Sequence, residues 1–343
     1  MNFVSKWHFL VISILFTIMA PVCRADTAYR FLKEIAVSGD EGWDYLSMDE
    51  AARCLYVTNG SKVVVINLDT EVVAGEIRDT FGVHGFAIAR DLGLGFSSNG
   101  KESKASIVDL KTLKTLSKVD TGENPDAIVY NQGEVYTFNG KGHSVTVFDA
   151  KSGKGVATSP LSGKPEFAVT DGVHLYCNIE DKNEVAVIDA KTHSVVNSWA
   201  IAPGAEATGL AIDLLHHRLF IGCHNKTMVM MDSMNGKVVA TVPIGQGVDA
   251  TVFDPATQLV FCSNGEGTVT IAREESPEKL TPEQVLSTER GARTMALDST
   301  THKIYLASAQ FEPVPEQIPG TPRQRPKMIP GSFKILVYGT CGN

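Results

Sequence analysis

The 343-residue sequence lacks the short motifs that identify many enzymes. It contains no Cys-x-x-Cys pair, no Gly-x-Ser-x-Gly motif and no Gly-x-x-x-x-Gly-Lys motif that continues with Ser or Thr. These absences argue against a thiol–disulfide redox site, a serine nucleophile on a strand–helix turn, and a phosphate-binding loop. Any active site must therefore be assembled from residues that are distant in the sequence.

Positive charge is also scarce. The chain has 31 Lys and Arg residues against 39 Asp and Glu residues, which gives a formal net charge of −8. Nucleic-acid binding depends mainly on the neutralisation of phosphates by basic side chains. We therefore expect no nucleic-acid partner.

Cysteines are few and uneven in number. Of the six, five follow the N-terminal segment, so they cannot all be paired in disulfides. Four of these five fall in predicted second strands of separate sheets, where close approach of two sulfur atoms is not expected. We expect them to be buried free thiols that pack as small hydrophobic groups. They are Cys54, Cys177, Cys223 and Cys262.

Only one apolar run is prominent, and it lies at the N-terminus. It extends from Phe9 to Ala20, follows Lys6, and precedes small residues that end at Ala25. This pattern predicts a signal peptide over residues 1–25 with cleavage near Ala25, and the run is too short for a comfortable membrane span. We expect a periplasmic or secreted protein whose mature chain has no transmembrane segment.

The rest of the chain is a repeat. The segment Leu55-Tyr56-Val57-Thr58-Asn59 is a short aromatic strand, and a second β-branched strand, Val63–Asn67, follows after a tight turn. The aromatic position recurs at intervals of 40, 40, 40, 44, 41 and 44 residues. Its members are Tyr56, Phe96, Tyr136, Tyr176, Phe220, Phe261 and Tyr305. Seven copies at a period near 40 predict an all-β, seven-bladed β-propeller of four-stranded blades over residues 29–343.

The two ends of the chain predict how the ring closes. Arg30–Val37 is a lone strand, whereas the last repeat provides only three strands before the chain ends. We therefore expect the N-terminal strand to complete the last blade. A ring closed in this way has no open sheet edge, which favours a monomer.

These repeats resemble a known family. Leu55-Tyr56-Val57-Thr58-Asn59, the strand Val63–Asn67 that follows it, and later copies such as Val135-Tyr136-Thr137-Phe138-Asn139 are similar to the YVTN-repeat family of secreted bacterial propellers. The resemblance covers about residues 29 to 343. It implies a seven-bladed propeller, and it implies no particular reaction, because members of this family mostly have no assigned biochemistry.

A candidate binding site lies where the innermost strands begin. In a propeller these strands line the central channel, so the residues at their starts meet at one mouth. A long segment with six prolines, residues 311–332, is predicted to emerge on the same face as a loop. The predicted ligand-binding residues are Trp43, Asp44, Tyr45, His84, Phe86, Asp126, Glu166, Glu206, Asp249 and Arg293.

Two chemical interpretations of this mouth remain open. In the first, the protein binds a small molecule, a peptide or a protein partner, with Trp43, Tyr45, Phe86 and Arg293 supplying apolar contact and charge. In the second, crowded oxygen ligands hold Ca²⁺ or Mg²⁺ for a lactonase-like hydrolase or lyase. The metal ligands would then be Asn139, Glu166, Asn178 and Asp249. A scaffold whose rim binds another protein is a third possibility.

Overall fold

The structure is a computed structural model that describes residues 28–37, 39–313 and 327–340. The predicted signal peptide and the centre of the proline-rich loop lie outside the described residues. Twenty-eight strands form seven antiparallel sheets of four strands each. The predicted seven-bladed propeller is therefore confirmed.

The strands follow the repeat in chain order, after the first strand β1 (Arg30–Ala36). Blade 1 comprises β2 (Trp43–Asp49), β3 (Cys54–Asn59), β4 (Lys62–Asn67) and β5 (Val72–Arg78). Blade 2 comprises β6 (Val83–Ala89), β7 (Leu94–Asn99), β8 (Lys104–Asp109) and β9 (Lys114–Asp120). Blade 3 comprises β10 (Pro125–Asn131), β11 (Glu134–Asn139), β12 (Ser144–Asp149) and β13 (Gly155–Pro160).

The remaining blades have the same layout. Blade 4 comprises β14 (Pro165–Thr170), β15 (His174–Ile179), β16 (Glu184–Asp189) and β17 (Ser194–Ala200). Blade 5 comprises β18 (Ala207–Asp213), β19 (Arg218–Cys223), β20 (Thr227–Asp232) and β21 (Val238–Pro243). Blade 6 comprises β22 (Val248–Asp254), β23 (Leu259–Asn264), β24 (Thr268–Ser276) and β25 (Lys279–Ser287). Blade 7 provides β26 (Met295–Asp298), β27 (Lys303–Ser308) and β28 (Lys334–Gly339).

The ring closes as the sequence predicts. Strand β1 is the outer strand of blade 7 and pairs antiparallel with β28, in the register Arg30↔Gly339 to Ala36↔Lys334. Just before β1, the Tyr29 ring packs on Phe261 of blade 6, with the ring centroids 5.0 Å apart. The N-terminal strand therefore holds blade 7 together and also contacts the neighbouring blade.

The core lies between neighbouring blades. The second and third strands of each blade are almost entirely buried, whereas the outer strands alternate or are exposed. The recurring aromatic residue lies in this core, as shown by Tyr56 of blade 1, which stacks on Phe86 of blade 2 at 4.7 Å. An aromatic residue at each second strand therefore fills the gap to the next sheet, which explains the period of the sequence.

Polar residues at the strand ends have structural roles. The acid or amide at the end of most third strands accepts hydrogen bonds from the following turn, as when the Thr112 amide N–H donates to Asp109 (2.7 Å). The four described cysteines are unpaired, and Cys177, Cys223 and Cys262 are fully buried, as expected. Within the described part of the chain, no helix has the length and apolar character needed to cross a bilayer.

Two departures from the repeat have different structures. The polar insertion in blade 6 does not form a loop, because it lengthens β24 and β25 to nine residues each. The proline-rich segment begins and ends as a short ladder in which Phe311 bridges Met328 and the Glu312 N–H donates to the Lys327 carbonyl oxygen (2.8 Å). The described base of this segment therefore fixes where the loop leaves blade 7.

Candidate functional site

The innermost strands present one ring of side chains at the mouth of the channel. In six blades a register shift separates the first paired residue from the rest of the innermost strand. Such bulges re-aim side chains and are common beside functional sites. In blade 7 the corresponding residue is Arg293, which lies five positions before Asp298, as Asp44 lies five positions before Asp49. We call this set the mouth ring: Asp44, His84, Asp126, Glu166, Thr208, Asp249 and Arg293.

One side of the mouth ring is a histidine between two acids. His84 Nδ1 lies 2.6 Å from Asp44 Oδ2 and 3.7 Å from Asp126 Oδ1. These three residues come from blades 1, 2 and 3 and each offer a ligand atom within 4.8 Å of the others. Burial lowers the pKa of His84, but Asp44, Asp126 and Glu166 outweigh that effect and raise it to about 9. His84 is therefore protonated at neutral pH and neutralises part of the acidic ring.

Lysine and arginine neutralise the other acids of the ring. Lys164 Nζ lies 3.1 Å from Glu166 Oε2 and 2.5 Å from Glu180 Oε2. Arg293 Nε lies 2.5 Å from Asp249 Oδ2. The Glu166 Oε2 atom is buried, and its contact with Lys164 does not have the geometry of a hydrogen bond. Glu166 Oε2 thus lies close to the positive charge of Lys164 but accepts no well-directed hydrogen bond.

The acids exceed the bases at this mouth. Burial raises the pKa of Asp126 well above its usual range, and it raises the pKa of Glu166 to about 7 and that of Asp249 to about 6. Nearby acids add to each shift, while His84, Lys164 and Arg293 respectively oppose it. The mouth therefore binds protons more tightly than exposed carboxylates do, so an additional cation there would be stabilised.

Two aromatic rings narrow the channel below the acids. Tyr45 of blade 1 meets Phe167 of blade 4 edge-to-face, with ring centroids 4.9 Å apart. Tyr45 is buried, and its pKa is raised by burial and by the charges of four mouth-ring acids. Below this contact, a chamber of about 390 Å³ continues toward the other face, lined largely by apolar residues such as Leu210, Val252 and Met295. The mouth is thus polar and lies above an apolar channel.

A side groove adjoins the mouth next to blade 7. It has a volume of about 790 Å³ and is lined by Trp43, Arg293, Phe311 and residues at the base of the proline-rich segment. The Trp43 ring lies 6.0 Å from Phe311 and 5.2 Å from Phe333. Trp43 Nε1 is buried without a hydrogen-bond partner among the described atoms. The groove therefore offers aromatic surface beside the charged ring, while the indole N–H of Trp43 itself is buried.

Some residues predicted for the mouth lie elsewhere. Phe86 is only 3% exposed and stacks on Tyr56, because the register shift after Val83 turns its ring into the core between blades 1 and 2. Glu206 precedes β18 and its side chain is 68% exposed, so the ring position in blade 5 belongs to Thr208. Thr208 is buried and donates to the Val248 carbonyl oxygen (2.9 Å).

The alternative metal set is only partly brought together. Asn139 and Asn178 are fully buried at the ends of second strands. Asn139 Nδ2 donates to Ser144 and Thr146 of its own blade, whereas Asn178 Nδ2 donates to main-chain carbonyls of blade 5. Their Oδ1 atoms have no hydrogen-bond partner among the described atoms. The described contacts join neither asparagine side chain to the Glu166 or Asp249 carboxylate.

The opposite ends of the innermost strands form a second ring, the far ring. Five of its members are aspartates whose Oδ1 atoms accept hydrogen bonds from amides of the following turn. Several also contact a basic side chain of the next blade, as Asp298 contacts Arg53 (2.7 Å). The far ring consists of Asp49, Ala89, Asn131, Asp171, Asp213, Asp254 and Asp298.

Sequence reasoning missed three parts of these sites. Lys164 immediately precedes β14, and Phe167 follows Glu166 by one residue, so alignment of the innermost strands could have identified both. The contact between Glu274 of blade 6 and His216 of blade 5 (Oε1 to Nδ1, 3.2 Å) has no local sequence signal, because it joins residues 58 positions apart.

Comparison with known proteins supports the fold and leaves the function open. No protein-family model and no curated protein matches the sequence. The structure is similar to a chain of the Kuenenia stuttgartiensis hydrazine synthase, with a TM-score of 0.68 and 16% identity over 79% of this chain and 94% of that chain. It is also similar to a chain in the crystal structure of the mitotic checkpoint complex, with a TM-score of 0.72 and 15% identity over 88% and 95% of the two chains. Such low identities show a shared seven-bladed propeller and nothing about ligand or reaction.

Proposed function

We propose that this chain is an exported binding protein that holds a positively charged small molecule or basic peptide at the channel mouth. The observation that supports this most strongly is the convergence of four buried or half-buried carboxyl groups from four blades on Tyr45. Polar groups that converge above an apolar channel are the usual form of a ligand site. Export to the periplasm or the medium rests on the predicted signal peptide over residues 1–25.

The charge balance favours a cationic ligand. The acids are Asp44, Asp126, Glu166, Glu180 and Asp249, and the bases in contact with them are His84, Lys164 and Arg293. Five acids against three bases leave two carboxyl groups without a base of their own, and these are protonated more readily than exposed carboxyl groups, so an incoming cation would displace protons from them. An ammonium or guanidinium group would complete this balance, and its apolar part could contact Trp43 and Phe311 in the side groove.

The proposal is tested by thermal unfolding of the mature protein with a panel of amines. Putrescine, spermidine, choline and a lysine-rich peptide would each be compared with a neutral analogue of similar size. A ligand present at 100 times its dissociation constant should stabilise the protein by about 2.7 kcal/mol. The double variant Asp126→Asn, Glu166→Gln should lose this response while it stays folded.

A matched double variant controls for the loss of negative charge alone. Asp69 and Asp120 have side chains that are 63% and 87% exposed, and they pair with Arg53 and Lys104 rather than with residues of the mouth ring. Asp69→Asn, Asp120→Asn should therefore keep the full response. Equal responses in both double variants, or stabilisation by the neutral analogues alone, would place the ligand elsewhere and contradict the proposal.

A metal-assisted hydrolase at the same mouth is the second candidate. It is favoured by the Asp44, His84 and Asp126 ligand atoms, which lie within 4.8 Å of one another. A divalent cation would have to displace the proton of His84, whose pKa is raised to about 9. Metal binding that is abolished by His84→Asn, together with turnover of lactones or esters, would support this candidate over simple binding.

A further inference from the structure

The lengthened hairpin of blade 6 brings an acid against blade 5. In blades 3, 4 and 5 the third strand ends in an aspartate that caps its turn, but β24 has Arg273 there and continues to Ser276. Glu274 is the first residue of this extension. Near the hairpin tip, the Pro277 carbonyl oxygen accepts a hydrogen bond from Arg218 Nε of blade 5 (2.6 Å). The insertion thus fixes Glu274 in the seam between two blades.

Three side chains meet in this seam, and we call them the seam cluster: Asp213, His216 and Glu274. His216 Nδ1 lies 2.8 Å from Asp213 Oδ2 and 3.2 Å from Glu274 Oε1. One ligand atom from each residue lies within 4.8 Å of the others. Protein ligands about 2.0 to 2.2 Å from a zinc ion lie about 3.3 to 3.6 Å from one another in tetrahedral geometry. The separation of 3.2 Å is close to this range, and the separation of 2.8 Å would have to widen slightly when a metal ion enters.

The seam cluster is buried and lacks directed hydrogen bonds. The Asp213 and Glu274 side chains are 2% and 0% exposed. Asp213 Oδ1 accepts from the Leu215 amide (2.8 Å), which leaves Oδ2 facing His216. Neither Asp213 Oδ2 nor either carboxylate oxygen of Glu274 has a hydrogen-bond partner among the described atoms. One imidazole nitrogen carries at most one hydrogen, so His216 Nδ1 cannot satisfy both carboxylates.

Apart from His216, the nearest basic side chain is Arg218, and it is committed elsewhere. Arg218 donates to the carbonyl oxygens of Pro277 and His217 and lies 3.3 Å from Asp232 Oδ2. Its charge reaches Glu274 only over a longer distance, because no ion pair within 4 Å joins these two described residues. Two buried carboxylates that share a single imidazole nitrogen are costly to keep ionised, and a coordinated metal ion would reduce that cost.

We propose that Asp213, His216 and Glu274 form a divalent transition-metal site, best suited to Zn²⁺, that links blades 5 and 6. One imidazole and two carboxylates are ligands that Zn²⁺ accepts, whereas Ca²⁺ prefers six or more oxygen ligands. Three protein ligands leave a fourth position for water or another ligand, although the ligand atoms of Asp213, His216 and Glu274 are themselves buried. This site is separate from the mouth ring, because Asp213 lies at the opposite end of its strand.

The test uses the purified mature protein after treatment with EDTA and dialysis. Isothermal titration with Zn²⁺ alone should show one bound ion per chain, and Zn²⁺ should raise the melting temperature. His216→Asn and Glu274→Gln should each weaken Zn²⁺ binding by at least about tenfold, because even changes to residues that only support a metal ligand cost that much.

Two histidines provide matched controls. His217 is adjacent to His216, is exposed, and has a positive φ of 55° that asparagine tolerates. His217→Asn should keep wild-type Zn²⁺ affinity, and His84→Asn at the mouth should keep it as well. Wild-type protein that binds no Zn²⁺, or a Glu274→Gln variant with unchanged affinity, would overturn the proposal. Loss of binding in His84→Asn alone would move the site to the mouth.

A measurement on the wild-type protein tests the proposal even if a variant fails to fold. Zinc K-edge absorption of the loaded wild-type protein should show one nitrogen and several oxygen neighbours near 2.0 to 2.2 Å and no sulfur neighbour. A sulfur neighbour would instead indicate cysteine ligation and overturn the proposal.

Discussion

The two ends of the innermost strands carry similar acids in different surroundings. At the far ring, the aspartates accept hydrogen bonds from turn amides, and Asp49, Asp254 and Asp298 also contact a basic residue of the next blade. At the mouth ring, the acids face one another across the channel and are balanced only by His84, Lys164 and Arg293. The contrast shows that hydrogen-bond satisfaction, rather than residue type, separates acids that maintain the fold from acids available to a ligand.

The seam cluster is the exception at the far ring. Asp213 accepts a turn amide as its equivalents do, but Gln258 of blade 6 stands at the position that holds Arg53 in blade 1 and His302 in blade 7. Glu274 reaches the seam from the lengthened strand β24. The seam therefore lacks the base found at these equivalents and gains a second carboxylate, which makes it a candidate for a bound cation.

Removal of β1 should have the largest effect, because it abolishes the alignment of both rings. A chain that lacks residues 28–37 leaves β28 as an unpaired edge and exposes the core around Ile35 and Val337. We expect the loss to approach the whole free energy of unfolding, about 5 to 15 kcal/mol for a typical domain. Circular dichroism and urea unfolding would measure it. An unchanged melting temperature would show that the ring does not depend on this closure.

An acid at the far ring should matter more to stability than an acid at the mouth. Asp298 is fully buried and accepts from Arg53 and from the Thr301 hydroxyl (2.7 Å each), so Asp298→Ala should cost about 3 to 5 kcal/mol. Asp126→Asn should change stability by less than about 1 kcal/mol, because burial already favours the neutral form of Asp126. Equal losses in urea unfolding would remove the distinction between the two rings.

The mouth ring should make stability fall as pH rises. The pKa of Glu166 is raised from 4.5 to about 7, and that of Asp249 from 3.8 to about 6, so the folded state binds more protons than the unfolded state between about pH 4 and 7. The pKa of His84 is raised from 6.5 to about 9, so the stability it contributes is complete below pH 6.5 and is lost as pH rises through 9.

Single-residue variants show which residue causes each part of the dependence of stability on pH. Melting temperatures would be recorded from pH 4.5 to 9.5. Relative to the wild type, Glu166→Gln should flatten the profile between pH 4.5 and 7, and His84→Asn should flatten it between pH 6.5 and 9. Asp120→Asn, which lies on an outer strand, is the control and should leave the slope unchanged. A wild-type profile that rises over this range would contradict the assigned directions.

The smallest effect is expected from the aromatic contact below the mouth. Tyr45→Phe keeps the edge-to-face contact with Phe167 and removes a hydroxyl that lies among four acids. Stability should change by less than about 1 kcal/mol, whereas the affinity for a cationic ligand should fall about 2- to 10-fold if the hydroxyl contacts it. Calorimetric titration against an amine identified in the thermal screen measures this difference. An unchanged affinity would show that the Tyr45 hydroxyl does not contact the ligand and that the Tyr45 ring only narrows the channel.

The sequence predicts the fold better than it predicts the site. The spacing of residues such as Tyr56 and Tyr136 reflects packing between sheets, and such packing must repeat in every blade, so it leaves a period in the sequence. The mouth residues Asp44, His84, Asp126, Glu166, Asp249 and Arg293 were predicted because a strand start is a repeated position too. Phe86 and Glu206 were not placed correctly, because a bulge moves the register by one residue and leaves no mark in the sequence. The seam cluster depends on a contact between blades, which no repeat encodes.

The pairing of β1 with β28 also determines when the ring can form during synthesis. Arg30 and Gly339 are paired in the sheet although 309 positions separate them (339 − 30 = 309). A ribosome therefore makes the first strand long before its partner exists, and the last blade stays incomplete until β28 has been made. Until β28 has been made, β1 has no strand to pair with, so the ring stays open and blade 7 cannot form its complete sheet.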